Sequence, residues 1–436
     1  MNIHFIGIGG IGTSALAQYY IIKGHKVSGS DIKKSEITDL IEKKGGKILI
    51  GEQKAKNISK DLDLVIFSPA INKENPELKE SKKQKIETKT YPEALGDLTK
   101  KYFTIAVSGT HGKSTTTAMA AKILIKAGLN PTVIIGTKLK EFDNSNCRVG
   151  NSEYLLIEAD EYKGSFLNYN PDIIILTNIE EDHLDYYKDL DDIIKTYKKY
   201  IKKLSKNGVI ITNKEDANIR KILNSFNIRK EWFSLKDETT SSLKKNLKVP
   251  GIHNLYNALA AKKLGKVLKI NQKIILEALS EYKGSWRRFE ENKIKINGKE
   301  IILINDYAHH PTEIEATLIA ARGKFENRKI WCIYQPHQYQ RTLALYNDFI
   351  KKFTKIIDNN YVDQLLLTDI YGVKGREKKE KISSKKIVQD LERKNIQYIK
   401  KEDITSFLKK NTKEEDIVIM MGAGDIYDLS KKFQNK

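Results

Sequence analysis

Phe103-Thr-Ile-Ala-Val-Ser108-Gly109-Thr110-His111-Gly112-Lys113-Ser114-Thr115 passes from a β-branched, aliphatic run through a turn bracketed by two glycines into a helical stretch that starts near Lys113. A strand that feeds a glycine turn and then a helix is the unit from which parallel α/β sheets are built. The same unit can hold phosphate. Glycines let backbone N–H groups turn inward, the helix N-terminus adds positive potential, a lysine bridges the terminal phosphates, and a hydroxyl reaches Mg²⁺. Lys113, with Ser114 and Thr115 behind it, stands where that chemistry needs it. The usual loop has four residues between its glycines and this one has two, so an ordinary strand-to-helix turn is the competing reading.

Upstream, Asn2-Ile-His-Phe-Ile6 reads as a strand running into Gly7-Ile-Gly9-Gly10-Ile11-Gly12, followed by a helical pattern through Lys23 and a second strand at 26–29. These glycines satisfy a dinucleotide fingerprint, with Asp31 at about the expected distance. Taken at face value this says NAD. What the fingerprint reports is a diphosphate over a helix N-terminus, so a UDP-sugar meets the same geometry, and a glycine-rich packing turn meets it with no ligand. A later strand, 63–67, ends at Ser68-Pro69-Ala70.

Downstream, strands are expected at 153–157, 172–177 and 209–212, alternating with helical stretches, and again at 300–305, 329–334, 364–368 and 416–420. The alternation predicts parallel α/β architecture in three domains, 1–98, 99–284 and 285–436. Glu158-Ala-Asp160-Glu161 closes one strand, placing hard carboxylate oxygens suited to Mg²⁺ at the sheet edge where open α/β folds bind ligands. Thr177-Asn178-Ile-Glu-Glu-Asp182-His183 follows the next; its alternative is a helix start whose acidic residues suit the dipole. In the last block, Asp306-Tyr307-Ala-His309-His310 and Gln335-Pro-His337-Gln-Tyr-Gln-Arg341 each follow a strand, and together they read as one pocket. Adjacent histidines rarely point the same way, so the reading favours orientation of substrates and of a transferred phosphate over a metal on His309 and His310.

A formal charge of +21 would ordinarily raise nucleic acid as a partner, yet the lysines are spread along the chain (Lys100-Lys101, Lys198-Lys199, Lys351-Lys352) among many glutamates, as on solvated helix faces. No nucleic-acid partner is expected. Cys147 and Cys332 lack metal-type spacing and lie far apart, so neither a disulfide framework nor a zinc site is suggested. No stretch is long enough to span a bilayer and no leader pattern opens the chain, so no membrane partner and a cytoplasmic location are expected.

With these strings assembled, the chain resembles the Mur ligase family of peptidoglycan synthesis. The likeness runs in order through 4–12, 108–117, 158–161, 177–185, Pro250-Gly-Ile-His253-Asn254-Leu-Tyr-Asn257, Arg287-Arg288-Phe289, 306–313, 335–342 and 422–426. It implies a Rossmann-like N-terminal domain for a UDP-sugar, a central P-loop ATPase-like parallel sheet, and a Rossmann-like C-terminal domain for the amino acid. It also implies the reaction: ATP converts the carboxylate of UDP-N-acetylmuramate to an acyl phosphate, which the amine of L-alanine attacks. By resemblance, Gly7, Gly9, Gly10, Ile11, Gly12, Asp31 and Ser68 hold the UDP-sugar, and Gly109 to Thr115, Asn254, Asn257 and Arg288 hold ATP. Lys113 neutralises the transferred phosphoryl group, Ser114 or Thr115 binds one Mg²⁺, and Glu158 with His183 binds a second. Tyr307, His309, His337 and Arg341 line the amino-acid pocket. The protein is expected as a monomer or homodimer.

Asp160-Glu161-Tyr162 is shared with the branch that recycles murein tripeptide, which stands as the alternative acceptor, whereas 164–167 and 177–180 follow the alanine-adding pattern. An NAD-dependent oxidoreductase would explain only the opening fingerprint and leaves the second glycine turn unused. Other branches carry a carbamylated lysine where this chain has Tyr197 beside Lys198, and no modification is assigned here.

Overall fold

The computed structural model describes residues 1–373 and 381–434. It packs as two compact units: Met1–Glu180 with Leu190–Asn246 and Tyr256–Glu281, and Glu181–Asp189 with Leu247–Leu255 and the chain from Tyr282 onward.

The first unit contains two sheets. Asn2–Ile6 (β1), Lys26–Asp31 (β2), Lys47–Ile50 (β3), Leu64–Phe67 (β4) and Glu87–Thr90 (β5) form a fully parallel sheet in the order 3-2-1-4-5. The second sheet takes Phe103–Ser108 (β6), Thr132–Leu139 (β7), Ser145–Arg148 (β8), Tyr154–Glu158 (β9), Ile173–Leu176 (β10), Val209–Asn213 (β11) and Arg229–Phe233 (β12) in the order 12-11-10-6-9-7-8. Its interior strand β10 is Ile-Ile-Ile-Leu, buried throughout, as a parallel strand covered on both faces must be. Helix Leu190–Ile201 buries Ile193, Ile194, Tyr197, Tyr200 and Ile201, a stripe at helical spacing; Tyr197 and Tyr200 pack on Phe166.

The second unit holds Glu290–Ile296 (β13), Lys299–Asp306 (β14), Ile330–Tyr334 (β15), Gln364–Leu367 (β16), Ile396–Tyr398 (β17) and Ile417–Met421 (β18) in the order 13-14-18-15-16-17. Alternate residues of β15 enter different cores. Ile330, Cys332 and Tyr334 pack with Phe349 and Phe353, while Trp331 and Ile333 pack with Val418 and Met420. Cys332 on this strand is a buried small hydrophobe, and burial pushes its thiol well up.

The α/β class and parallel-dominated sheets are those expected. Two features add to the sequence reading. Within these parallel-dominated sheets, β7–β8 and β13–β14 pair antiparallel. Strands β3, β5, β7, β8, β12, β13 and β17 were not foreseen. Among the described residues, no helix is long and apolar enough to cross a membrane.

Candidate active site

In the first unit, β6 delivers the chain to Gly109, whose φ of 132° is open to glycine; a Cβ there would lie 2.0 Å from the Thr177 hydroxyl. Gly112 caps helix Lys113–Lys126 at φ 81°, and a Cβ would lie 2.3 Å from Asn257 Oδ1. The end of β10 clamps the turn. The Thr110 N–H donates to Asn178 O (3.1 Å), the His111 N–H to Asn178 Oδ1 (2.9 Å), and the Thr177 hydroxyl to His111 O (2.7 Å). The turn is therefore held by the protein's own hydrogen bonds, with the helix N-terminus behind it.

Lys113 Nζ donates to Gly109 O (2.7 Å), Thr110 O (3.2 Å) and Glu161 Oε2 (2.9 Å). Burial alone would push the ammonium down, but the carboxylates of Glu161, Asp160 and Glu158 more than offset it and hold the group charged. The Ser114 hydroxyl donates to Glu158 Oε1 (2.9 Å), and Glu158 Oε2 accepts from the Gly136 N–H (2.7 Å). A hydroxyl and a carboxylate side by side at a phosphate-type turn are a hard-oxygen donor set that fits Mg²⁺. Thr115 is buried in the same first turn, and the Thr116 hydroxyl donates to Asn257 Oδ1 (3.2 Å). Asn254 and Asn257 stand three residues apart on helix Ile252–Val267, and Asn254 Nδ2 donates to Pro250 O (2.6 Å).

At the other glycine turn, Gly10 caps helix Ile11–Ile22 with no side-chain cap hydrogen bond among the described residues; the Gly10 N–H donates to Gly7 O (3.2 Å), and the backbone N–H groups of Ile11 and Gly12 stand at the helix start. Gly7, at φ 76°, packs against Ser68. Asp31 accepts from the Gly9 N–H (2.8 Å), so its carboxylate shapes the turn itself.

The second unit gathers the remaining residues at the C-terminal ends of β14, β15 and β18. His309 and His337 rings lie 6.1 Å apart, His337 stacks on Tyr371, and Tyr307 packs edge-on to His309. Arg341 is buried. It pairs with Asp182 Oδ1 (3.3 Å) and donates to His183 Nδ1 (3.2 Å), its Nη1 lies 3.4 Å from His337 Nδ1, and its buried Nε has no hydrogen-bond partner among the described residues. Burial would raise the Asp182 carboxyl, but Arg341 and the nearby histidines hold it far below the usual carboxylate range. Of the two arginines, Arg287 is structural, donating to Gly422 O and Gly424 O between Trp286, Tyr307 and Tyr427, while Arg288 lies nearer the surface beside Tyr307 and Glu313.

Sequence reasoning passed over the groups that hold these side chains. Glu161 is the counter-ion of Lys113, Asp182 that of Arg341, and Asn178 threads the glycine turn. Asp306 accepts from the Phe289 N–H (2.8 Å) and the Ala308 N–H (2.7 Å), fixing two turns at once. All four lie inside strings already singled out; burial distinguishes Glu161, Asp182 and Asp306, and Asn178 is distinguished by the backbone N–H groups it accepts from.

Burial pushes the Asp306 carboxyl up to about 6 and the His309 imidazole down to about 4. For His309, whose ordinary value is 6.5, the unfolded chain binds more protons between pH 4 and 6.5; its stabilising share is full above 6.5 and lost as pH falls to 4. For Asp306, whose ordinary value is 3.8, the folded state binds more, so its share is present below pH 3.8 and lost as pH rises through 6. Each is worth roughly 3 kcal/mol, and the two oppose each other. Asp306→Asn should therefore make stability climb more steeply from pH 4 to 6.5, and His309→Gln should make it fall. Denaturant midpoints at pH 4.5 and 6.5 check this, and changes of the same sign in both variants would contradict it.

Three family models match in succession: the Mur ligase family catalytic domain over residues 2–103, the Mur ligase middle domain over 107–265, and the Mur ligase glutamate ligase domain over 287–424. The chain is 41% identical to the UDP-N-acetylmuramate–L-alanine ligase of Clostridium botulinum, covering 100% of this chain and 97% of that one. To the enzyme of the same name from Clostridium kluyveri it is 39% identical, with 100% and 98% covered. Among solved structures, the UDP-N-acetylmuramate-alanine ligase of Thermotoga maritima superposes with a TM-score of 0.81 at 29% identity, covering 100% of this chain and 98% of that one.

Proposed function

We infer that this chain, which belongs to the Mur ligase family, joins L-alanine to the lactyl carboxylate of UDP-N-acetylmuramate, consuming ATP and releasing ADP and phosphate in peptidoglycan precursor synthesis. The observation that carries this reading is the likeness, along the whole chain, to relatives named for that reaction. The turn at Gly109 to Ser114 supports the use of ATP, and full-length likeness at 39–41% to alanine ligases favours that acceptor over murein tripeptide. Domains at 1–98, 99–284 and 285–436, a cytoplasmic location and a monomer or homodimer belong to the same proposal.

A carboxylate is a poor electrophile, so one of its oxygens first attacks the γ-phosphorus while the bond to ADP breaks. Lys113 and the helix N-terminus stabilise the charge that builds there, and charge stabilisation of this kind is usually the largest catalytic contribution. Mg²⁺, held by Ser114 or Thr115 and by Glu158, would screen the phosphates. His183 can serve a metal through Nδ1 only if Arg341 releases that atom. The amine then adds to the acyl phosphate, and phosphate leaves from the tetrahedral intermediate. Arg341 offers its buried Nε–H to the alanine carboxylate. Tyr307, His309 and His337 wall the amino-acid pocket, and the glycine turn with Asp31 and Ser68 seats the UDP-sugar.

The test is amino-acid-dependent phosphate release with MgATP and UDP-N-acetylmuramate, comparing L-alanine, glycine, L-serine and murein tripeptide. L-Alanine is expected to give the highest kcat/KM. Release with tripeptide alone would move the chain to the recycling reaction.

A further inference from the structure

We propose that Asn146 is a positioning residue that couples the UDP-sugar turn to the ATP turn, an inference that rests on the function proposed above. Asn146 lies on β8. Its side-chain N–H donates to Ile11 O and to the Ser14 hydroxyl (2.9 Å), and its Oδ1 accepts from Gln18 Nε2 (2.7 Å). Gln18 Oε1 accepts in turn from the Ser145 hydroxyl (2.8 Å) and from Lys44 Nζ (2.7 Å). Ser14, Gln18, Ser145 and Asn146 are buried. A buried amide network costs free energy unless every member is satisfied, and apolar residues of similar volume would pack this seam without that demand. What the network supplies is a fixed register between the β7–β8 hairpin and the first turn of helix Ile11–Ile22, the turn that begins at the glycines.

The hairpin leads directly to the ATP side. Within it, Ile134 of β7 pairs with Cys147 of β8 on one edge and with Ile157 of β9 on the other. Two residues on, the Gly136 N–H donates to Glu158, and Glu158 accepts from Ser114 in the first turn of the Lys113 helix. A Cβ at Gly136 would sit 2.8 Å from the Glu158 carboxylate, so strand and carboxylate move together. A diphosphate that orders the first helix therefore orders Glu158 and Ser114 as well, and the ordering cost is met once for two ligands.

Mg-ADP and UDP are the probes, because neither carries the reacting γ-phosphate or the muramoyl carboxylate, so no direct contact between ligands can carry the coupling. In the wild-type protein, saturating UDP is expected to tighten Mg-ADP binding about 5-fold or more by calorimetry, and saturating Mg-ADP to tighten UDP by the same factor. Asn146→Ala is expected to bind each probe alone while the ratio falls towards 1. A purely structural role would lower the melting temperature and leave the ratio unchanged. If Asn146→Ala does not fold, Lys44→Met, which removes only the ammonium on Gln18, is expected to give an intermediate ratio. Wild-type protein that binds both probes with a ratio of 1, or a variant that keeps the wild-type ratio, overturns the coupling alone. Wild-type protein that binds neither overturns the proposed function with it.

Discussion

Lys113→Ala is expected to lower amino-acid-dependent phosphate release by about 10²- to 10³-fold, the scale set by losing one preorganised charge donor of roughly 3 to 4 kcal/mol. The ammonium is already aimed at the turn by Gly109 O, Thr110 O and Glu161, and the surrounding carboxylates keep it charged. A phosphoryl group arriving over the helix N-terminus meets this charge without reorganisation. The same variant leaves Glu161, 3% exposed, without its cation, which costs stability as well. Glu161→Gln separates the two effects. It removes the counter-ion and keeps the ammonium, so it should shift the KM for ATP and leave kcat within about 10-fold, because the donor to the transition state remains. A Lys113→Ala protein that is folded and turns over within about 10-fold of wild type would remove ATP chemistry from this turn.

The features that make this possible were unevenly legible. Strands covered on both faces announce themselves: β6, β10, β15 and β18 are aliphatic runs followed by glycine, polar or histidine-bearing turns, and the turns were read correctly as strand ends. Edge strands give no such signal, because half their surface meets water. Glu87-Thr-Lys-Thr90 of β5 has no buried residue, and Lys47–Ile50 is half-buried at best. The direction of β7 against β8, or β13 against β14, is set by short turns such as Asp143-Asn144, both at positive φ, rather than by the strands' own composition. The site shows the same division. Lys113 and its glycines were legible because spacing carries their chemistry, whereas Glu161 and Asp182 stand in clusters of equivalent-looking acids until packing buries one of each.

For that reason the second large effect falls on Asp182 and Arg341. Asp182→Asn leaves a buried guanidinium without its anion, and Arg341→Met leaves the anion without its guanidinium; each is expected to destabilise the second unit by about 3 to 5 kcal/mol. The double variant Asp182→Asn/Arg341→Met removes both charges, so its stability should return to within about 2 kcal/mol of wild type, as paired buried charges replaced together usually allow. Alanine use should not return with it. If Arg341 holds the substrate carboxylate, the double variant still lacks a charge-assisted hydrogen bond worth about 1.5 to 3 kcal/mol, and the KM for L-alanine should stay raised by roughly 10- to 100-fold. Stability and acceptor affinity then part company in one protein. Denaturant unfolding and L-alanine titrations on all three variants measure the separation. A double variant that regains both would make Arg341 a structural cation of the β15 strand end, and the acceptor carboxylate would need another partner.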